Sequence, residues 1–563
     1  MRYRDHGRRI LLLLLLAVLV QSWMVARNDI PAQDSLVFLR FARQFQHQPF
    51  WDTLRSNSQH PLFPIFIWLF HHVFGGCLGS DANAWIRSAQ CVAAIATIVL
   101  AVPMYLAGLR LGGAELATSA TAVFTVLPLT ARMGADALAD STYLLFMLVA
   151  CWSSIEFLLT HRLCWAAIAG TATGFAFLAR PESLVLPLAV AVTLVLTRVW
   201  SGWQGHWLRL IGACSCGLGA MILVTLPYLM GIGRPTPKRS LNLLPHGAAL
   251  FARFDTTGGR PALRTLNDGR SIVAPARPTA LPPPPDGMLD FALQHRQQEQ
   301  RSLGYAAAGR ELARELVEGL HYVIGMLAVI GVFKAERRPA NLLCSTLAIL
   351  FLGLLLQFAS RSGYVASRHV VTVICLGCYA AARGGQVLIG AIARLVENWC
   401  RFTSTAPASL QVLIDRVQRR WAVALIVIVS ATCLPKSLKS LHQSREAHVA
   451  AASWLADHAA ADSIVLDSRG WASLLAGISA YDYNGARLAF QDPRLAYVVL
   501  EDTELKDDRP RGSTLRHLLG LAGQKLAEFR STHSSSESVE IFGWYPERLV
   551  PREGAAGAAV RAN

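Results

Sequence analysis

Long apolar runs recur along this 563-residue chain, and they constrain its fold more than any other feature. Hydrophobic residues make up 53% of the chain and charged residues 16%, whereas a soluble domain carries roughly 25% charged residues. Crossing a bilayer as a helix takes about 20 mostly apolar residues, and runs of that kind recur from Ile10 onwards. The chain is therefore predicted to be a polytopic α-helical membrane protein.

The apolar runs predict about eleven transmembrane helices. The first run, Ile10–Ala26, has no evident small-x-small cleavage site, so we expect an uncleaved span rather than a signal peptide. The predicted spans cover residues 10–27, 88–108, 115–131, 140–159, 163–179, 183–199, 208–232, 317–333, 340–359, 369–391 and 421–436.

Basic clusters fall in alternate connections between these spans, as the positive-inside rule predicts for cytoplasmic segments. This places the N-terminus in the cytoplasm and predicts a multi-pass protein of the cell inner (plasma) membrane. The net charge of +16 is explained by topology rather than by a nucleic-acid partner, because the bases lie beside apolar spans. The clusters are Arg2, Arg4, Arg8 and Arg9; Lys334, Arg337 and Arg338; and Arg416, Arg419 and Arg420.

Two long polar segments fall on the opposite, outer face: the first outer loop (28–87) and a loop over 233–316. Within the first, Pro61–Phe74 is apolar but short. Treating it as a span would move Arg110 to the outside, so it is predicted to be a juxtamembrane helix at the outer interface.

The pattern changes after the last span, which divides the chain into a membrane module (1–436) and a C-terminal extracytoplasmic domain (437–563). Strands alternating with helices predict a small α/β domain there. We expect helices over 447–460 and 512–529 and strands over 463–467, 496–500 and 538–542.

Ionisable residues of mixed type gather at the outer membrane boundary. Acids, histidines and arginines on one face are typical of an active site at a lipid–water interface. The set comprises Asp34, His60, Asp136, Asp140, Arg180, Glu182, Arg361, Arg368 and His369.

Four segments of this face resemble motifs of the GT-C glycosyltransferases, in the protein O-mannosyltransferase and aminoarabinose-transferase-like branch (glycosyltransferase family 39-like). The chain departs from that pattern twice: the acidic pair is reduced to Asp34 followed by Ser35, and the double proline is a single proline followed by Phe63-Pro64. The C-terminal domain has no support from the resemblance. The similar segments are Pro31–Arg43, Gln59–Pro64, Thr173–Glu182 and Ser367–His369.

The resemblance implies an inverting membrane glycosyltransferase that takes a sugar from a polyprenyl-phosphate donor and needs no cofactor. It implies that Asp34 is the catalytic base, since attack at the anomeric carbon requires removal of the acceptor's proton. Arg368 is the preferred ligand of the lipid phosphate, because an arginine that opens a span from outside runs against the usual cytoplasmic bias. Further substrate contacts are expected from His369, His60, Asp140, Arg180 and Glu182, while the acceptor stays unidentified.

Several of these residues have structural alternatives. Asp34 is also a good N-cap for the helix that follows it. Asp136 and Asp140 both precede a span that either could cap, and Asp140 is preferred for the site. Arg180 and Glu182 could form a local ion pair at the Pro turn.

Other interpretations also stay open. His60 could be an ordinary interfacial residue, and a divalent ion held by Asp34 and Asp140 has no support from ligand spacing. His71 and His72 are adjacent, so they point to different helix faces. Two rival functions are a transporter or flippase of lipid-linked saccharide, and a membrane scaffold whose C-terminal domain binds a partner.

Overall fold

The structure is a computed structural model, and not every residue of the chain is described. Most of the predicted 233–316 loop lies outside the described residues, as do Arg2, Arg337, Arg416 and Arg419. The described residues are 3–79, 82–201, 207–233, 236, 303–334, 338–403, 420–442, 445–460, 462–482, 485–506, 510–531 and 534–549.

Helices make up the described part of the chain as far as residue 437. Two 3-10 helices, Pro181–Leu184 and Ser367–Val370, lead directly into α9 and α14 of the series below. The α-helices are α1 Tyr3–Ala26, α2 Ser35–His47, α3 Phe50–Ser56, α4 Leu62–Leu78, α5 Ala82–Val126, α6 Pro128–Ala131, α7 Ala139–Thr160, α8 Leu163–Ala179, α9 Val185–Ser201, α10 Trp207–Ile232, α11 Tyr305–Leu320, α12 Tyr322–Phe333, α13 Pro339–Ser362, α14 Val371–Thr403 and α15 Trp421–Ser437.

Seven of the described helices are long and apolar enough to cross a membrane, or eight if the bent pair α11–α12 counts as one span. Three more apolar helices, α4, α8 and α15, are shorter. The chain is thus a multi-pass helical membrane protein, while the number of eleven spans stays a prediction. The juxtamembrane segment predicted at Pro61–Phe74 is helical as α4, and its interfacial position also stays a prediction.

The 45-residue helix α5 contains a break that separates two of the predicted spans. Gly113 has a φ of +85°, in the left-handed region that favours glycine. Beside this break, Arg110 donates two hydrogen bonds to the buried carboxylate of Glu156, at 2.6 and 2.9 Å. The break lies between residues 108 and 115, which is the cytoplasmic connection that the sequence predicts.

The span predicted over 317–333 is bent in the structure. Helices α11 and α12 meet at 105°, with His321 at a φ of +61° between them. Arg314 pairs with Glu311 at 2.6 Å and with Glu318 at 3.8 Å, so α11 carries a charged face. The predicted outer loop therefore ends earlier than residue 316, at the start of α11, because a charged amphipathic helix precedes the apolar run.

Glycines allow two pairs of helices to pack backbone against backbone. A Cβ atom on Gly170 of α8 would lie 1.9 Å from the carbonyl oxygen of Gly217 in α10. A Cβ on Gly331 of α12 would lie 1.8 Å from the carbonyl oxygen of Ala380 in α14. Membrane helices associate through such close approach at small residues. Here it holds α8, which ends just before Arg180, against α10, and α14, which begins just after Arg368, against α12.

The C-terminal region forms a five-stranded sheet of order β2-β1-β3-β5-β4, which confirms the predicted small α/β domain. Strand β1 is parallel to β2 and β3, while β5 is antiparallel to β3 and β4. The boundary between the two regions at residue 437 stays a prediction. The described elements are α16 Glu446–His458, β1 Ile464–Asp467, α17 Trp471–Ala476, β2 Ala480–Tyr481, α18 Ala486–Gln491, β3 Leu495–Glu501, α19 Asp502–Leu505, α20 Pro510–Ala522, β4 Gly523–Ser531, β5 Ser534–Trp544 and a 3-10 helix at Pro546–Leu549.

One predicted element of this domain is wrong. The helix expected over 512–529 ends at Ala522, and Gly523–Ser531 is a strand paired with β5. Along this strand Ala527 and Phe529 pack against the core, while Lys525 on the same strand is solvent-exposed and pairs with Glu528. Pairing with the antiparallel strand β5, which lies later in the sequence, stabilises this segment as a strand rather than a helix.

Candidate active site

Asp34 lies at the N-terminal end of α2, in the N-cap position. Within the described segment 3–79 its side chain makes no capping hydrogen bond. The residue that anchors the turn is Ser35, whose hydroxyl donates to the carbonyl of Ala32 at 2.7 Å. The Asp34 carboxylate accepts a hydrogen bond from the guanidinium of Arg368. The geometry therefore does not support a capping role and leaves Asp34 as the candidate base.

Arg368 is presented by the 3-10 helix that opens α14. Val370 is fully buried and anchors this turn, and His369 accepts a hydrogen bond at Nδ1 from the amide of Ala366, at 3.2 Å. The hydroxyl of Ser367 accepts a hydrogen bond from Arg132 at 2.9 Å. The turn is thus held on both sides of Arg368, whose own side chain stays 33% exposed. His369 thus contacts the backbone of its own turn, whereas Arg368 is accessible.

Arg180 lies in a second, buried ion cluster. The helix α8 ends at Ala179 because Pro181 cannot continue it. The Arg180 guanidinium then reaches the carboxylates of Asp140 on α7 and of Glu182, the latter at 3.3 Å. It also lies over the ring of Tyr143, 5.6 Å from the ring centre. Arg180 and Glu182 therefore form the local ion pair that was considered from the sequence. Asp140 joins them, so that the three residues form a cluster between helices.

The two arginines differ in accessibility. The side chains of Asp140, Arg180 and Glu182 are 10%, 15% and 21% exposed, whereas that of Asp34 is 54% exposed. A phosphate that approached Arg180 would have to displace two buried carboxylates. Arg368 therefore has the better geometry for binding an anionic substrate.

Asp136 has partners of its own. Its carboxylate contacts His442 at 2.8 Å and Arg132 at 4.0 Å, and its carbonyl accepts a hydrogen bond from Ala32 at 3.3 Å. These contacts tie the segment before α7 to the first outer loop. Asp140, not Asp136, is the acid that joins the Arg180 cluster, and its role in the site stays a prediction.

His60 lies in an aromatic environment. Its ring packs edge-on against Phe177 at 5.2 Å and against Tyr228 at 6.1 Å, and its Nε2 is 3.3 Å from the Thr236 hydroxyl. It is only 1% exposed. Because Phe177 precedes Arg180 by three residues, His60 lies near the C-terminal end of α8.

Sequence reasoning missed three residues of this region: Arg132, Tyr143 and His442. Arg132 carried a usable signal, since it is an arginine in a predicted outer connection, the same anomaly that singled out Arg368. Tyr143 follows Asp140 by three residues and so shares its helix face. His442 lies far along the chain, and nothing in its local sequence indicates a contact with Asp136.

Among the described residues, no group of three or more His, Cys, Asp or Glu side chains converges as a metal site would require. Asp34 and Asp140, the pair considered for a divalent ion, each contact an arginine instead.

A family model described as dolichyl-phosphate-mannose-protein mannosyltransferase matches residues 58–230. This stretch contains His60, Asp140, Arg180 and Glu182 but neither Asp34 nor Arg368. No curated protein matches the chain significantly in sequence.

Solved structures with the same fold include ArnT from Cupriavidus metallidurans bound to undecaprenyl phosphate. That structure is 14% identical, with a TM-score of 0.55 over 94% of this chain and 97% of ArnT. The oligosaccharyltransferase AglB from Archaeoglobus fulgidus, in complex with an inhibitory peptide and a dolichol-phosphate, is 11% identical, with a TM-score of 0.55 over 98% of this chain and 76% of AglB. The chain therefore has the fold of the GT-C membrane glycosyltransferases, of the ArnT and protein mannosyltransferase type, and the resemblance stated from its motifs is confirmed.

Proposed function

We propose that this protein is a membrane glycosyltransferase that transfers a sugar from a polyprenyl-phosphate donor to an acceptor, with inversion at the anomeric carbon. The observation that carries the proposal is the contact between the Asp34 carboxylate and the Arg368 guanidinium. A proton acceptor and a phosphate-binding cation lie side by side and partly exposed, which is the pair of groups that this chemistry needs.

The donor class is supported by the ligands of two proteins with the same fold. ArnT has been solved with undecaprenyl phosphate, and AglB with a dolichol-phosphate. Both ligands are phosphates on long isoprenoid chains, so a partly exposed arginine at the start of a membrane helix fits the same chemistry. The sugar and the acceptor of this protein stay open.

The reaction would be a single displacement. Asp34 takes the proton from an acceptor hydroxyl or amine while the acceptor atom forms a bond to the anomeric carbon. The bond between that carbon and the phosphate oxygen breaks, and its electron pair leaves with the lipid phosphate. One displacement at one carbon inverts its configuration.

Arg368 would stabilise the leaving phosphate, because a guanidinium donates two parallel hydrogen bonds to such an anion. A bound donor would therefore compete with Asp34 for Arg368. Donor binding would release the carboxylate for its role as the base, so that the base is freed only when the donor is in place. The buried Arg180 cluster would shape the neighbouring wall of the site rather than bind phosphate directly.

The site is proposed to face the periplasm. The alternation of basic connections supports this orientation, and Asp34 lies on the same side as the C-terminal domain because Gln33 contacts Arg469 of that domain.

The direct test is to incubate the purified protein with a panel of polyprenyl-phosphate sugars and to measure release of the lipid phosphate. We expect release with at least one donor, and its loss in Asp34→Asn. If the protein instead moved the lipid-linked sugar across a vesicle membrane without cleaving it, it would be a transporter. That result would contradict the proposal.

A further inference from the structure

The C-terminal domain contacts the chain on both sides of Asp34. The contacts are made by the segment 467–471, which joins β1 to α17 and is called the docking turn below, and by Arg445 just before α16. The amide of Gln33 donates a hydrogen bond to the carbonyl of Arg469, and Arg445 donates one to the carbonyl of Pro31. Residues immediately before Asp34 are therefore tied to the C-terminal domain.

Apolar contacts hold the residues that follow Asp34. Trp471 is fully buried and lies with Leu474 in one hydrophobic cluster with Leu36 and Leu39 of α2. Leu36 of α2 lies directly beside the C-terminal domain, because its Cδ1 is 3.5 Å from the position that a Cβ atom on Gly470 would take.

The approach is close at Gly470. This residue has a φ of +75°, and a Cβ atom on it would lie 2.6 Å from Nη2 of Arg40. The backbone conformation favours glycine here, and the Arg40 guanidinium lies directly against it.

The docking turn is itself rigid. The carboxylate of Asp467 accepts hydrogen bonds from the amides of Gly470 at 2.7 Å and Ser473 at 2.8 Å. Arg469 pairs with Glu501 at 2.6 Å, and Glu501 also contacts His448 at 3.1 Å. A turn held by this many polar contacts offers Asp34 a fixed support.

Asp34 needs such a support. Its side chain is 54% exposed and, within the described residues 3–79, makes no capping bond to α2, so its own helix does not hold the carboxylate in place. Once a bound phosphate had taken Arg368, the position of the carboxylate would depend on the backbone of residues 31–36. A displacement of about 1 Å at a reacting group can cost about 100-fold in rate.

We propose that the docking turn, together with Arg445, is a positioning element that holds the Asp34 base against the acceptor, with Arg445 and Gln33 as its positioning residues. This inference rests on the proposed function, because it takes Asp34 to be the base. It gives the C-terminal domain a direct part in the transfer step.

The test is the double variant Gln33→Leu with Arg445→Leu in the full-length protein. The hydrogen bonds from Gln33 to Arg469 and from Arg445 to Pro31 are removed, while the sheet and the Arg368 turn are left intact. We expect kcat to fall about 10- to 100-fold with the donor KM changed by less than about twofold. Hydrogen exchange of the amides at 32–36 should accelerate, while exchange in β1 and β3 should not change.

Two further variants complete the design. Arg494→Leu breaks an ion pair with Asp492 inside the same domain, away from the docking turn, and should leave kcat at the parental value. Arg445→Lys keeps a donor for the Pro31 carbonyl and, with Gln33 intact, should restore most of the rate.

An unchanged kcat in the double variant overturns the proposal, and so does an equal loss in Arg494→Leu. Unchanged exchange at 32–36 would show that the contacts do not restrain the loop. This exchange measurement is independent of the base assignment. A parental rate in Asp34→Asn would instead remove the proposed base itself, so the two failures can be told apart.

Discussion

Asp34 at the start of α2 accepts a hydrogen bond from Arg368, which follows it by 334 residues. In the described first turn of α2, the aspartate caps no backbone amide. An N-terminal helix position usually draws the carboxylate to the helix itself, so its use in a contact with a distant arginine is informative. The pair joins the first outer loop to the opening of α14 and defines where the proposed chemistry takes place.

Replacement of Arg368 should affect the donor. We expect Arg368→Ala to lower kcat/KM for the donor about 100-fold and Arg368→Lys about 10-fold, because lysine keeps the charge but loses the paired hydrogen bonds. Donor kinetics measured with a thermal-stability control test this. Arg361→Ala is the matched control, since Arg361 is an exposed arginine near the same turn and outside the ion pair. A well-folded Arg368→Ala protein with parental donor kinetics would remove Arg368 from the site.

Arg180 should matter more for stability than Arg368. Removing one member of a buried ion pair leaves an uncompensated charge, so Arg180→Gln should lower the free energy of unfolding by about 3 kcal/mol. Arg368→Gln should cost much less, because its partner is half exposed. Thermal unfolding in detergent compares the two variants. Equal stability of both would mean that the Arg180 cluster is not a structural element.

The docking turn should weaken in acid. Burial alone would raise the pKa of Glu501, but its hydrogen bonds with His448 and Arg469 and the charge of Arg469 outweigh it and lower the pKa to about 2, from an ordinary 4.5. A carboxylate with a lowered pKa stabilises the folded state fully above about pH 4.5, and this stability is lost as the pH falls towards 2. We expect Glu501→Gln to destabilise the domain at pH 7 by at most about 3 kcal/mol.

Hydrogen exchange in β1 and β3 measures this effect in the full-length protein. The difference between parent and Glu501→Gln should narrow between pH 4.5 and pH 3. Glu528→Gln is the control, because Glu528 also has its pKa lowered to about 2, by hydrogen bonds to Lys525 and Arg530, but lies on the solvent-exposed surface. A difference that stays constant down to pH 3 would contradict the account.

The sequence predicted the membrane helices well but not the contacts between them. Long apolar runs mark helices because of their length and composition, and the break at Gly113 matched a predicted connection. The pairing of Asp34 with Arg368 depends on which helices become neighbours, and an apolar run carries no such information. The predicted outer-face position singled out Arg368 as a candidate but could not name its partner.

The same limit explains the errors in the C-terminal domain. The strand β4 was predicted as helix because its apolar residues are few and its antiparallel partner follows it in the sequence. The docking turn was not predicted, since its contacts are with Gln33 and Arg40, more than 400 residues earlier in the chain. Gly470 is the one local signal, and a single glycine before a helix is too common to indicate docking.

Membrane topology can be tested on described, exposed residues. With the eleven native cysteines replaced, a cysteine at Ser453 in α16 should react with an impermeant reagent from outside the cell, and one at Asp5 only after permeabilisation. The opposite labelling pattern would place Asp34 and the C-terminal domain on the cytoplasmic face.

The most direct test of the central claim is the transfer rate of Asp34→Asn with a donor that the parent cleaves. Asparagine keeps the shape of the side chain and its capacity to accept a hydrogen bond from Arg368, while it loses the negative charge and with it the ability to take a proton. The account predicts that transfer falls about 10²–10⁴-fold while donor binding and thermal stability stay near the parental values. Transfer at the parental rate by Asp34→Asn would contradict it.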